Sequence, residues 1–214
     1  MIVTKPSELP RLEDEAWLAI DAETYDPNLK ELGPGCRRND GYPVGWALAT
    51  RDGRAWYLPV RHEQGPNLPE RTVRRYLTKL AANLQRRWCG ADLSYDLDWL
   101  KWEGIKVAGP VDDVLFAARL LDTQRYGLPN LDDTLREHLG ERKTGDELWT
   151  WLATHRGKGE PTRKAQIEYL KLAPPELVGE YACGDVARLG ELQNVLHKRL
   201  EERSAISWYR KECR

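Results

Sequence analysis

The order of apolar and polar residues predicts a β-sheet built mainly from the first half of the chain. Short apolar runs bounded by turn residues, several of them rich in β-branched or aromatic side chains, are typical of β-strands. Residues 51–54 carry an Asp-Gly pair between two such runs and predict a hairpin. The predicted strands are 17–24, 44–50, 55–60, 86–90 and 105–111.

Apolar residues spaced three and four positions apart predict helices after the third strand. The predicted helices are 69–85, 95–102, 114–121, 130–139, 145–154, 165–172 and 177–200. Strands therefore come first with one inserted helix, strands and helices then alternate, and the C-terminal half is helical. This order predicts an α/β fold in which helices pack on a mixed sheet of about five strands.

Composition and charge limit the classes of function. A length of 214 residues suits one domain, and 33 basic against 34 acidic residues give a formal net charge of −1. A nucleic-acid partner would therefore need a local basic patch or bound metal ions. No apolar run approaches the ~20 residues of a membrane span. The four cysteines lack C-x-x-C spacing, which favours reduced thiols in a cytoplasmic protein over a zinc site.

The first predicted strand ends in two carboxylates, Asp21 and Glu23, separated by one residue. Side chains alternate along a strand, so both project from the same face. Two such carboxylates repel each other unless a cation lies between them, and a divalent metal ion is the usual solution. The alternative is a strand that runs into a solvated acidic turn, because a chain this rich in Asp and Glu contains such pairs by chance.

Two further stretches favour the metal hypothesis. Asp96 lies near the start of the helix that follows the fourth strand. Tyr181 and Asp185 are four positions apart in the long C-terminal helix, so both face one side of it. If that side covers the end of the first strand, four carboxylates and one phenol converge. Such a cluster is costly without metal and is suited to two Mg²⁺ or Mn²⁺ ions.

The three stretches together resemble a known family. In order, D-x-E-T at 21–24, Y-D-x-x-x-L at 95–100 and Y-x-x-x-D at 181–185 are similar to the exonuclease motifs of the DEDD superfamily, tyrosine subtype. Segments 26–35, 41–45, 113–121 and 131–140 resemble the 3′–5′ proofreading domain of phage-type family A DNA polymerases. The resemblance covers roughly residues 17–196 and implies a ribonuclease H-like fold.

The resemblance also implies a mechanism, metal-assisted hydrolysis of a phosphodiester by two divalent cations. Asp21 would bridge both ions, Glu23 and Asp185 would hold the ion on the side of the nucleophile, and Asp96 the ion beside the leaving oxygen. Tyr181 would orient the attacking water, since a phenol with an ordinary pKa of about 10 is a poor base at neutral pH. The histidine subtype has His where this chain has Glu180. The expected product is a nucleoside 5′-monophosphate.

Contacts to the substrate are expected around this cluster. Thr24 follows the carboxylate pair, where members of the family approach the terminal nucleotide. Tyr25, Arg37 and Arg38 open or lie within the long loop 25–42, where they would stack on bases or contact phosphates, or else belong to a solvated loop. Asp92 and Arg188 are further candidates. Arg188 would reach a phosphate or simply neutralise the carboxylates.

The expected partner is the 3′ end of single-stranded DNA. Residues 1–214 would form one exonuclease domain, with an irregular lead-in at 1–15, and would be monomeric. Residues 203–214 resemble the start of a linker helix towards a polymerase domain, so the chain would be a separate subunit or the N-terminal part of a longer polymerase. Two other hypotheses stay open, an RNA exonuclease of the ribonuclease D type and a catalytically silent DNA-binding module.

Asp92 gives a first testable prediction, because phage-type relatives usually have Asn at this position. An additional carboxylate would weaken a contact to a phosphate and raise the pKa of neighbouring acids. We expect Asp92→Asn to raise exonuclease activity, measured as mononucleotide release from a 3′-labelled oligonucleotide. Equal or lower activity of the variant would contradict this interpretation.

Overall fold

The computed structural model describes residues 1–124, 127, 129–142, 145–156 and 158–213, and its centre is one five-stranded sheet. The strands are β1 (Trp17–Tyr25), β2 (Tyr42–Thr50), β3 (Ala55–Pro59), β4 (Arg87–Gly90) and β5 (Val111–Asp113). They lie in the order β3-β2-β1-β4-β5. β2 is antiparallel to both of its neighbours, whereas β1, β4 and β5 are parallel. The predicted mixed sheet of about five strands is confirmed.

Helices cover both faces of the sheet. They are α1 (Leu29–Leu32), α2 (Glu70–Ala81), α3 (Leu93–Trp102), α4 (Val114–Leu121), α5 (Leu131–Leu139), α6 (Asp146–Arg156), α7 (Arg163–Gln166), α8 (Pro175–Ala187), α9 (Leu189–Glu202) and α10 (Ile206–Glu212). Short 3₁₀ turns occupy Pro6–Glu8, Gly35–Arg37 and Ile167–Leu172. None of the helices built from the described residues has the length and apolar content of a membrane-spanning segment.

Some boundaries differ from the prediction. The fifth strand, predicted at 105–111, begins only at Val111, because the preceding residues cross the end of α2. There a side chain on Gly109 would collide with the carbonyl oxygen of Arg86, and Ala108 N–H donates to Ala81 O at 2.9 Å. The helix predicted at 177–200 is two helices that meet at Arg188.

Alternation along β1 divides the core in two. Trp17 and Ala19 pack into the cluster that contains α8 and α9, whereas Leu18 and Ile20 pack against α2 and α3. Asp21 and Glu23 continue the odd-numbered series and therefore project towards the side of α8. The fold thus places the carboxylate pair between the sheet and the C-terminal helices.

Arg86 connects the segment before β1 to the end of α2 through hydrogen bonds. Its side chain is 1% exposed, and its guanidinium donates to four backbone carbonyls. The acceptors are Glu15 at 2.8 Å, Leu80 at 2.7 Å, Leu12 at 2.6 Å and Glu13 at 2.8 Å. The planar fork of an arginine can satisfy several acceptors at once, which an ammonium group cannot do with the same geometry.

Replacing Arg86 should therefore destabilise the fold. We expect Arg86→Met to lower the free energy of unfolding by about 3–4 kcal/mol, because four backbone carbonyls lose a charged donor in a buried or partly buried setting. Urea denaturation followed by tryptophan fluorescence measures the change. Arg75→Met, which replaces an exposed arginine of α2, is the matched control and should stay within ~0.5 kcal/mol of the unchanged protein. A loss as small as that of the control would show that Arg86 does not hold the segment.

Candidate active site

Asp21 and Glu23 occupy the C-terminal half of β1 as predicted. Asp21 is half-buried and Glu23 is 4% exposed. Across the sheet they pair with Ala47 and Gly45, two small residues of β2. The register with β2 shifts immediately after Glu23. The carboxylate pair thus faces two of the smallest side-chain positions of β2, just before the strand pairing becomes irregular.

Asp96 is brought to the same place by a turn after β4. The chain reverses at Asp92, which adopts left-handed backbone angles (φ 62°, ψ 47°), and enters α3. Asp96 in the first turn of α3 is 2% exposed, and its Oδ1 accepts from Ala22 N–H at 2.9 Å. Since Ala22 lies between Asp21 and Glu23, this hydrogen bond fixes Asp96 against the carboxylate pair. Burial and the negative charge of Asp21 raise the pKa of Asp96 well above its usual value.

Tyr181 and Asp185 reach the site from α8, which packs across β1, β2 and β3. They are 4% and 5% exposed. Burial, followed by the negative charges of Asp185 and Glu23, raises the pKa of the Tyr181 phenol well above its usual value. The ring of Trp149 from α6 stands edge-on to Tyr181, with 5.1 Å between ring centroids. The structure thus brings all five predicted residues together, while their catalytic roles remain predictions.

The donor atoms of this cluster fit divalent cations. Asp21, Glu23, Asp96 and Asp185 offer only carboxylate oxygens, the ligands that Mg²⁺ and Mn²⁺ prefer. Burial, and after it the charge of Asp21, raises the pKa of Asp96, and a bound cation would offset both effects. Within the part of the chain that the structure describes, however, no three acidic, His or Cys side chains already stand close enough to form a finished metal site.

Arg163 is a member of the site that the sequence did not indicate. It begins α7, and its Nε donates to the Tyr181 hydroxyl at 3.2 Å. Arg163 is exposed at the surface, and although partial desolvation lowers the pKa of its guanidinium, Tyr181, Glu23 and Asp185 outweigh this effect and raise the pKa. Arg163 lies outside the three motifs. Only its position in the fold reveals it.

A buried tyrosine and a buried histidine form a hydrogen-bonded pair near Glu23. The Tyr57 hydroxyl lies 2.8 Å from His62 Nε2, and His62 Nδ1 lies 2.9 Å from Ala173 O. Burial lowers the pKa of His62 to about 4, so the ring is neutral at pH 7. A carbonyl can only accept, so Nδ1 carries the proton and Tyr57 donates to Nε2. A side chain on Gly45 would collide with the Tyr57 hydroxyl, which explains the glycine opposite Glu23.

Thr24 and Tyr25 border the cluster. The hydroxyls of Thr24 and Tyr95 are 2.8 Å apart, and Tyr95 donates its single proton to Asp26 Oδ2 at 3.1 Å, so Thr24 donates to Tyr95. Tyr25 lies beside Tyr42, with Lys171 Nζ 4.3 Å from its ring centroid. The Thr24 side chain is therefore fixed by the protein, and the Tyr25 ring lies beneath a positive charge.

The three arginines that were predicted to contact substrate form ion pairs or hydrogen bonds within the protein. Arg37 pairs with Asp98 at 2.6 Å on the surface, and Arg188 pairs with Glu141 at 2.5 Å. Arg38 donates to the carbonyls of Leu32 and Gly33 at 2.8 and 2.6 Å and thereby closes the loop after β1. Their contact with substrate remains a prediction.

Asp92 is exposed at the turn into α3, where its Oδ1 accepts from the Ser94 hydroxyl at 3.2 Å. Its left-handed backbone is a conformation that Asn and Asp tolerate better than most residues. The backbone therefore accounts for a short polar residue here, and the choice of Asp over Asn remains the subject of the activity prediction.

Comparison with known proteins identifies the class and then the family. The fold is that of nucleases whose structures have been solved. A family model described as a 3′–5′ exonuclease matches residues 11–201. The chain belongs to this family, the 3′–5′ exonuclease domain of family A DNA polymerases. The predicted family resemblance and the prediction of an enzyme of the nuclease class are confirmed.

Three similar proteins show the range of the resemblance. A DNA-directed DNA polymerase of Pseudomonas phage M6 is 46% identical over 101 residues, 47% of this chain and 15% of the relative. DNA polymerase I of Chloroflexus aurantiacus is 29% identical over 171 residues, 79% of this chain and 17% of the relative. The chain thus matches about a sixth of the length of either polymerase.

The third similar protein is Brucella melitensis NrnC, whose solved structure superimposes with a TM-score of 0.66 at 21% identity. The match covers 98% of this chain and 85% of that one. This likeness confirms the expected ribonuclease H-like fold. NrnC has also been solved with bound Mg²⁺ and bound to pGG.

The contact between Arg163 and Tyr181 gives a prediction that a double-mutant cycle can test. We expect Arg163→Met to lower kcat about 10-fold, because the phenol loses its charged neighbour. Tyr181→Phe should lower kcat at least as much. In the Tyr181→Phe background, Arg163→Met should have little further effect, since both changes remove the same interaction. If the double variant instead lost kcat by the product of the two single factors, Arg163 would not act through Tyr181.

Proposed function

We propose that the chain is a 3′–5′ DNA exonuclease that trims single-stranded 3′ ends and serves as the proofreading domain of a family A DNA polymerase. The observation that carries the proposal is the convergence of Asp21, Glu23, Asp96, Tyr181 and Asp185 at one end of β1. Three separate elements, β1, α3 and α8, deliver these side chains. Membership of the exonuclease family supports the reaction, and the polymerase relatives support DNA as the substrate.

The four carboxylates would hold two Mg²⁺ or Mn²⁺ ions. Asp21 would be shared between them, with Glu23 and Asp185 on the side of the attacking water and Asp96 on the side of the leaving 3′-oxygen. When bound, such ions lower the pKa of water and stabilise the charge on the leaving oxygen. Glu23, Asp96 and Asp185 are buried, so little water screens their charges and their attraction for the ions is strong.

Tyr181 would orient the attacking water rather than remove its proton. Its raised pKa keeps the phenol protonated at neutral pH, so its hydroxyl can donate one hydrogen bond. Arg163 Nε donates to a lone pair of the same oxygen and so holds the hydroxyl of Tyr181 in place. Trp149 limits rotation of the ring from the side of α6. Hydrolysis would yield a nucleoside 5′-monophosphate.

Two alternatives remain. An RNA exonuclease of the ribonuclease D type would use the same five residues, so the cluster itself does not select between DNA and RNA. A catalytically silent DNA-binding module would keep the fold without the reaction, and only the additional carboxylate of Asp92 favours it. Both polymerase relatives favour the DNA exonuclease.

The carboxylate pair gives the test of the reaction. We expect Asp21→Ala combined with Glu23→Ala to lower mononucleotide release in Mg²⁺ by a factor of about 100 or more, because the ions lose shared ligands. The measurement uses 3′-labelled DNA and RNA oligonucleotides of the same sequence. Asp14→Ala, which removes an exposed acid before β1, is the matched control and should leave release unchanged.

Three results of this assay would change the proposal. Release that survives the double change would refute the metal mechanism. Faster hydrolysis of RNA than of DNA by the unchanged protein would favour the ribonuclease D alternative. The absence of release from either substrate by the unchanged protein would favour the silent module.

A further inference from the structure

A basic cavity lies away from the carboxylate cluster. Its volume is about 350 Å³, and it is lined by Arg51, Arg87, Gln193, His197 and Arg210. Arg51 follows β2, Arg87 begins β4, and the other three lie on α9 and α10. Strand β1 connects the two regions, because Trp17 at its start contacts both Arg51 and Gln193. Asp21 is four residues further along the strand, about 13 Å away.

The cavity carries an excess of positive charge. Arg51 lies 5.6 Å from the ring centroid of Trp17 and donates to Asn194, and both of these partners are uncharged. Arg87 donates to buried Asp112 at 2.9 Å, and Arg210 lies 3.6 Å from exposed Glu201. Three guanidinium groups therefore face two carboxylates. None of the five lining residues is acidic.

Gln193 adds a buried donor whose orientation is fixed. The Trp17 indole N–H donates to Gln193 Oε1 at 2.9 Å, so the oxygen of the amide must point at Trp17. The Nε2 group is then the donor on the opposite branch, and it is buried without a hydrogen-bond partner among the described residues. Gln193 as a whole is 1% exposed. An unmet buried donor is costly, and an acceptor within the cavity would remove the cost.

We propose that this cavity binds a phosphate group, from a nucleic-acid strand or from a free nucleotide, at a site distinct from the carboxylate cluster. Arginine side chains bind phosphate oxygens through paired, charge-assisted hydrogen bonds, and Gln193 Nε2 supplies a neutral donor to the same oxygens. Arg51 is the guanidinium of the cavity whose charge is not balanced by a carboxylate partner, since it contacts Trp17 and Asn194. The cavity is large enough for a phosphate with its attached sugar.

The site is tested by binding in EDTA, so that metal chemistry and hydrolysis play no part. Inorganic phosphate, a deoxynucleoside 5′-monophosphate and a labelled single-stranded oligonucleotide are titrated separately against the full chain. We expect Arg51→Met and Arg210→Met each to weaken binding about 10-fold. Arg75→Met, on exposed α2, is the matched control and should change the affinity less than twofold. Melting temperatures without ligand establish that each variant is folded.

The three ligands distinguish the source of the phosphate. Oligonucleotide binding that is tighter than binding of the small ligands, and that Arg51→Met weakens about 10-fold, would identify the cavity as a contact for the strand. Equal binding of phosphate and mononucleotide, both weakened about 10-fold by Arg51→Met, would identify a site for free phosphate compounds. The absence of binding at about 10 mM ligand, or binding that is equal in the unchanged protein and both variants, would overturn the proposal. The result is independent of the proposed hydrolysis, which is measured with metal at the other site.

Discussion

The structure depends on one electrostatic constraint, which is that buried carboxylates are forced together at the end of β1. Asp96 is held by the N–H of Ala22, the residue between Asp21 and Glu23, so it cannot move away from the negative charge of Asp21. Burial is the larger cause of the raised pKa of Asp96, and the charge of Asp21 adds to it. A protein tolerates such an arrangement where a cation balances it. The carboxylate cluster and the proposed metal dependence are thus two consequences of the same geometry.

The surroundings of the cluster are adapted to this constraint. Small residues of β2 face Asp21 and Glu23, and the glycine opposite Glu23 leaves room for the Tyr57 hydroxyl. Arg163 adds a positive charge beside Tyr181, Glu23 and Asp185, and so offsets part of the repulsion on the side of α8. The phenol is held by Arg163 and Trp149 from two different helices. The contacts that hold Tyr181 in the folded protein are therefore also the contacts that position it for the proposed reaction.

Alternation and helical spacing were sufficient to predict the sheet and to indicate which side chains share a face, whereas the meeting of the three motifs was implied only by the family resemblance. Asp21 with Glu23, and Tyr181 with Asp185, are related by local periodicity. The sequence could not indicate Arg163, since its contact with Tyr181 depends on how α7 packs near α8. It also could not indicate that Arg38 closes its own loop, or that the long C-terminal helix divides at Arg188. These features depend on tertiary contacts, which leave no periodic signal in the chain.

Thermal unfolding of the unchanged protein and of Asp96→Asn, with and without millimolar Mn²⁺, tests the central claim most directly. The amide oxygen of Asn can still accept from Ala22 N–H, but the negative charge is removed. The account predicts that the variant melts at a higher temperature than the unchanged protein without metal, because the repulsion is relieved. It also predicts that Mn²⁺ raises the melting temperature of the unchanged protein and raises that of the variant much less. An Asp96→Asn protein that is no more stable without metal, and that responds to Mn²⁺ as the unchanged protein does, would contradict the account.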